Sequence, residues 1–180
     1  MIANDFVREL SSIAPSIESL REIGLSETEA TSFRAGYICQ PRSSPLSLLA
    51  SNEMLDLAIR WDVSLIEVGM VRLLGTPTID QGSGIQIGVV EADPLVIINT
   101  SSELIVEELG TTGHILWKSA RSPGQFLDAL VVAAKFFSER TVGAFDFDDL
   151  EIAKMTADKC ATLAGGDEYT EFYYMLLGAE

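Results

Sequence analysis

A chain of 180 residues with 47% hydrophobic and 22% charged side chains can bury one sizeable core, so a single compact domain over 1–180 is expected and a disordered linker is not. Its 27 acids against 12 bases give a net charge of −15, which sets the surface against nucleic-acid phosphates and anionic lipid and leaves a cationic partner permitted. No segment reaches the roughly 20 apolar residues of a membrane span, and the start MIANDFVREL lacks a basic and apolar leader, so a soluble cytoplasmic protein is expected.

Phe6, Leu10, Ile13, Ile17 and Leu20 recur at helical spacing, and Pro15 between them predicts two short helical pieces. In LSETEATSFRAG, Ser26 with Glu29 after it forms a capping-box pattern and Gly36 is a C-terminal stop, so a helix is predicted there. Leu46, Leu49, Leu55, Leu57, Ala58 and Trp61 predict a further helix ending near Trp61 and closing an N-terminal helical region over 1–62.

The period then changes. LIEVGMVRLLG (65–75) and IQIGVVE (85–91) are β-branched runs separated by TPTIDQGSG, which reads as a pair of strands joined by a loop. Leu95 to Ile98 and Leu104 to Val106 flank Asn-Thr-Ser-Ser as an acidic hairpin, and HILWKSA supplies a short strand. Short connections predict a largely antiparallel sheet of about four to six strands over 65–119 in an α+β fold, since parallel neighbours need crossovers of a dozen or more residues. Ser122 and Pro123 start a helix whose buried face carries Phe126, Leu130, Ala133 or Ala134, and Phe137. Asp148 and Asp149 open the next helix, Gly165 closes it, and DEYTEFYYMLL puts Tyr169, Phe172, Tyr173 and Leu176 on one side of a last one. Helices over 122–177 and 1–62 thus cover the sheet from both ends of the chain.

Little in the chain reads as chemistry. His114 is the sole histidine, so a histidine-based metal cluster is excluded and any acid/base role rests on this residue or on carboxylates; it reads first as a hydrogen-bonded strand-end side chain. No G-x-S-x-G sequence occurs, and the glycines of GSG at 82–84 precede a strand rather than the helix a phosphate cradle requires. The acids of DFDDLE (146–151) lack calcium-loop spacing and suit a helix start. Cys39 and Cys160 stand far apart and read as reduced structural thiols. Trp61 and Trp117 read as core, although tryptophan is also a favoured interface anchor. No metal, cofactor or enzymatic activity is expected.

The charge imbalance is local. Between Arg72 and Lys118 no Lys or Arg occurs, while Asp80, Glu91, Asp93, Glu103, Glu107 and Glu108 do. From about Ile66 to Arg140 the order of features resembles the SUKH superfamily, which includes bacterial toxin-immunity proteins and regulatory adaptors. The segments that carry the likeness are VGMVRLLG, IGVVEADPLVIINTSSELIVEELG and ILWKSARSPGQFLDALVVAAKFF. The resemblance implies an α+β domain that works by binding another protein, such as a basic toxin domain that it neutralises. On that reading Glu91, Asp93, Glu103, Glu107 and Glu108 form an acidic rim that steers the partner, and Trp117 is the anchor. A rival is a small ligand-binding domain or enzyme with a carboxylate-lined pocket. A third is a self-associating subunit, a homodimer burying Tyr169, Phe172 and Tyr173.

Overall fold

A computed structural model describes residues 1–79, 84–111 and 113–179. Asp80 and two members of the GSG turn, Gly82 and Ser83, lie outside the described residues.

The N-terminal region holds α1 (Ala3–Ser12), α2 (Ile17–Glu22), α3 (Glu27–Ala35) and α4 (Glu53–Arg60). Pro15 separates the first two, and the Ser16 hydroxyl accepts the Ser19 N–H to start α2. The α3 capping box forms as its sequence predicts: the Ser26 side chain accepts the Glu29 N–H, and the Glu29 carboxylate accepts the Ser26 N–H at 2.8 Å. The fourth helix is shorter than its apolar pattern predicts. It begins only after Asn52, whose side chain accepts the Leu55 N–H, and Leu49 ahead of it is 84% exposed. Apolar spacing without a burying partner does not hold a helix together.

Arg42 organises the stretch around α4. Its Nε donates to the carbonyls of Ala58 at 2.8 Å and Trp61 at 3.0 Å, and its Nη2 donates to Gly75. This guanidinium caps the end of α4 and fastens a two-stranded ribbon, β1 (Gln40–Pro41) with β2 (Trp61–Asp62), to the main sheet. Sequence reading did not find that ribbon.

The main sheet contains β3 (Glu67–Val68), β4 (Val71–Ile79), β5 (Gly84–Val90), β6 (Asp93–Ile98), β7 (Leu104–Glu107) and β8 (Ile115–Ala120), each antiparallel to its sequence neighbour. Two boundaries differ from expectation. The run 65–75 is not one strand: Gly69, at φ +58°, turns the chain between β3 and β4. Thr76 to Ile79, expected in a loop, continue β4, because Thr78 and Ile79 pair with Gln86 and Ile85 across an irregularity after Leu73. Gly88 also has a steric reason. Ile87 is an extra residue of β5 opposite β6, and a Cβ at Gly88 would lie 2.6 Å from the Arg72 carbonyl.

Alternation decides what faces the helices. Leu95 pairs with Val106 and Ile97 with Leu104, and all four join the main core. Val96 and Ile105, paired between them, lie on the other face yet are each 1% exposed. The core face receives α5 (Pro123–Thr141), whose Ser122 side chain accepts the Gln125 N–H. Phe126, Leu127, Leu130, Ala133 and Ala134 on α5 are fully buried. This helix touches both edge strands, β3 and β8, so the sheet curls around it. Helix α6 (Leu150–Ala164) packs on α5, and a 3₁₀ turn (Asp167–Tyr169) leads into α7 (Thr170–Leu177) against α6 and β8. Tyr169, Phe172 and Tyr173 are at most 1% exposed. The aromatic face considered for a dimer is therefore occupied by the chain's own core.

Candidate protein-binding surface

An antiparallel meander sends successive turns to opposite ends of the sheet, and this divides the acidic residues. The β3–β4 turn, the β5–β6 turn at Glu91 and Ala92, and the β7–β8 connection from Glu108 to His114 share one end. The β6–β7 connection, ending in Glu103, lies at the other. Glu91, Asp93 and Glu108 are thus brought together, and Glu103 is not.

The shared end is tied by backbone bonds. Glu91 adopts φ +55°, its N–H donates to the Met70 carbonyl at 2.9 Å, and its own carbonyl accepts Arg72 Nη2 at 3.1 Å. Asp93 Oδ1 accepts the Leu109 N–H at 2.9 Å, which joins the β5–β6 turn to the β7–β8 connection. Glu108 donates its N–H to the His114 carbonyl at 2.9 Å, and its Oε2 lies 3.3 Å from His114 Nδ1, both side chains open to water. The strand end separates the two neighbouring glutamates: Glu107, the last residue of β7, is 5% exposed, whereas Glu108 lies beyond the strand in the connection to β8 and is exposed. Trp117, opposite Val106, is half-buried and packs against the core.

Sequence reasoning passed over Leu109 and Ile115. They are 63% and 44% exposed at this same end, among Glu91, Asp93 and Glu108. A signal existed: Leu109 sits in a turn, directly before Gly110 at φ +84°, where no strand or helix face is available to bury it. The arrangement is an apolar tip with an acidic surround, suited to desolvating an apolar side chain while attracting a cation.

Glu103 does structural work instead. Its carboxylate lies 3.1 Å from Lys118 Nζ and accepts the Tyr169 hydroxyl at 3.2 Å. Lys118 and Arg121 also lie 3.4 and 3.5 Å from Glu168. Burial first, then the hydrogen bond to Glu168, pushes the Tyr169 phenol up to about 12, and Glu103 foremost raises the Lys118 ammonium. The network ties the 3₁₀ turn to the sheet edge.

A concavity of about 850 Å³ opens between α3, the β3–β4 turn and the end of α5, with Phe33, Tyr37 and Phe137 in its wall. Among the described residues no group of three or more His, Cys, Asp or Glu side chains is placed to hold a metal ion. None of their helices is long and apolar enough to cross a membrane.

Comparison with protein-family models, curated proteins and solved structures gave no match. The surface therefore has to be interpreted from its own chemistry. Cys39 and Cys160, both buried, have their thiols pushed up to about 12, chiefly by burial. Thiols held protonated are poor nucleophiles. The lowered carboxylates have local causes: the Ser26 side chain foremost for Glu29, the Ser64 N–H for Asp62 and Tyr169 for Glu168. They are capping, turn and link residues by position.

Proposed function

We propose that this chain is a cytoplasmic protein-binding module of SUKH type, an immunity protein that neutralises a basic toxin domain or a related regulatory adaptor. The carrying observation is the sheet end at which exposed Leu109 and Ile115 sit among Glu91, Asp93 and Glu108. The likeness of the three sequence segments to SUKH proteins supports the same reading. Opposite charge accelerates encounter and suppresses wrong partners, while a desolvated apolar centre supplies affinity. The absence of Lys and Arg between Arg72 and Lys118 keeps the surround negative.

The test uses the full chain as immobilised bait in a lysate of its source at low salt, washed with rising salt, beside Glu91→Lys/Glu108→Lys and Leu109→Ser baits. Asp93 is left intact because it holds the two turns together. One basic protein should elute from the wild type as salt rises. Its capture should fall at least about ten-fold on the charge-reversed bait and by a comparable factor on Leu109→Ser, as loss of an interface anchor costs on the order of 1–2 kcal/mol. Equal capture by wild-type and charge-reversed baits would overturn the electrostatic part of the reading.

A further inference from the structure

The concavity between α3 and the β3–β4 turn has a chemistry of its own. Phe33 and Tyr37 stand with ring centroids 5.7 Å apart, and the Phe137 ring closes against Gly69, where a Cβ would lie 2.6 Å from it. Leu65 at the lip is 62% exposed. The volume of about 850 Å³ admits more than one amino-acid side chain.

Charge selects the occupant. Glu29, Glu67 and Arg72 line the groove. Two carboxylates against one guanidinium leave the lining net negative, and strand register sets Arg72 opposite Glu67. The Glu29 carboxyl is held below its ordinary range, foremost by the Ser26 hydroxyl, and stays ionised at neutral pH. Arg72 also donates to the Glu91 carbonyl, so the groove adjoins the acidic sheet end.

We infer that this groove receives an apolar side chain flanked by Lys or Arg, carried on a segment of the same basic protein partner. The inference rests on the protein-binding reading, and it adds a second point of attachment that fixes the partner's orientation. Aromatic and aliphatic walls desolvate the apolar residue while the carboxylates pair with its basic neighbours.

The probes are three capped peptides, acetyl-KLFK-amide, acetyl-ELFE-amide and acetyl-SLFS-amide, titrated into the ¹⁵N-labelled full chain. The KLFK peptide should saturably shift the amides of Phe33, Leu65, Gly69 and Thr141, at least about five-fold tighter than ELFE, with SLFS between them. Ser32→Trp, at an exposed position lining the groove, should abolish those shifts, and Glu67→Lys, which makes the lining net positive, should reverse the charge preference. Both substitutions are at exposed positions, and unchanged amide dispersion elsewhere verifies folding. Equal binding of KLFK and ELFE, no saturable shift with any peptide, or shifts confined to Leu109 and Ile115 would each overturn the groove assignment. The last outcome leaves the protein-binding reading standing. Groove binding of KLFK together with partner capture indifferent to Glu91→Lys/Glu108→Lys would defeat the sheet-end electrostatics and keep the groove.

Discussion

Glu29 and Glu103 show how one residue type acquires different work from its neighbours. Glu29 is open to water, but the Ser26 hydroxyl and N–H both donate to it, which favours its ionised form. Its carboxyl is therefore depressed relative to the unfolded chain, foremost by the Ser26 side chain. A depressed carboxylate contributes stability that is present above its unfolded value and is lost as pH falls through the folded one. The window lies at and below the ordinary glutamate value of 4.5. Glu29→Gln should flatten the acid side of the stability curve there, measured by urea midpoints between neutral pH and the onset of acid unfolding; an unchanged slope would refute the assignment. Glu103, also acidic, is a hydrogen-bonded link between β7, β8 and the 3₁₀ turn.

At the level of elements, α5 carries the largest consequence, because it packs beneath both sheet edges. Leu130 is 0% exposed on its buried face, and Leu130→Ala should cost about 2–5 kcal/mol through lost transfer energy and the cavity left behind. Lys135 on the same helix is exposed, and Lys135→Ala should stay within about 0.5 kcal/mol. Chemical denaturation of both variants tests the pair; similar losses would mean that the helix is not seated as described. The elements also differ in how plainly their sequences announce them. Ser26 with Glu29, and Ser122 with Pro123, are local stereochemical signals and mark α3 and α5 correctly. The start of α4 and the β3–β4 break carry weaker signals. Leu46 and Leu49 have helical spacing but lie ahead of the helix, Leu49 in solvent, and Gly69 interrupts what reads as one β-branched run.

For the whole molecule, a net charge of −15 means that compaction brings like charges together. Added salt screens this repulsion, with the Debye length falling from about 30 Å at 0.01 M to about 8 Å at 0.15 M. The urea midpoint should therefore rise with sodium chloride over that range. A fall would show that local ion pairs such as Lys118 with Glu103 and Glu168 outweigh the net repulsion. The same screening should weaken capture of a basic partner, so salt is expected to move stability and binding in opposite directions.

Much of the fold was legible in order: two broken helical pieces, a capped α3, a strand meander, a Ser-Pro-started cover helix and two terminal helices. Those features rest on interactions between residues a few positions apart, namely caps, alternation and helical spacing, and short-range physics is written directly in the chain. Charge was legible too, since it is a sum over residues. The grouping of that charge was not. Which glutamate is buried, which one binds Lys118, and which ones gather around Leu109 and Ile115 depend on strand register and on which end each turn occupies. One position of register carries a side chain to the opposite face, and one strand length carries it to the opposite end. The composition of an acidic sheet was therefore determined by the sequence alone, whereas its division into a buried glutamate, a structural link and an open apolar tip was decided by tertiary packing.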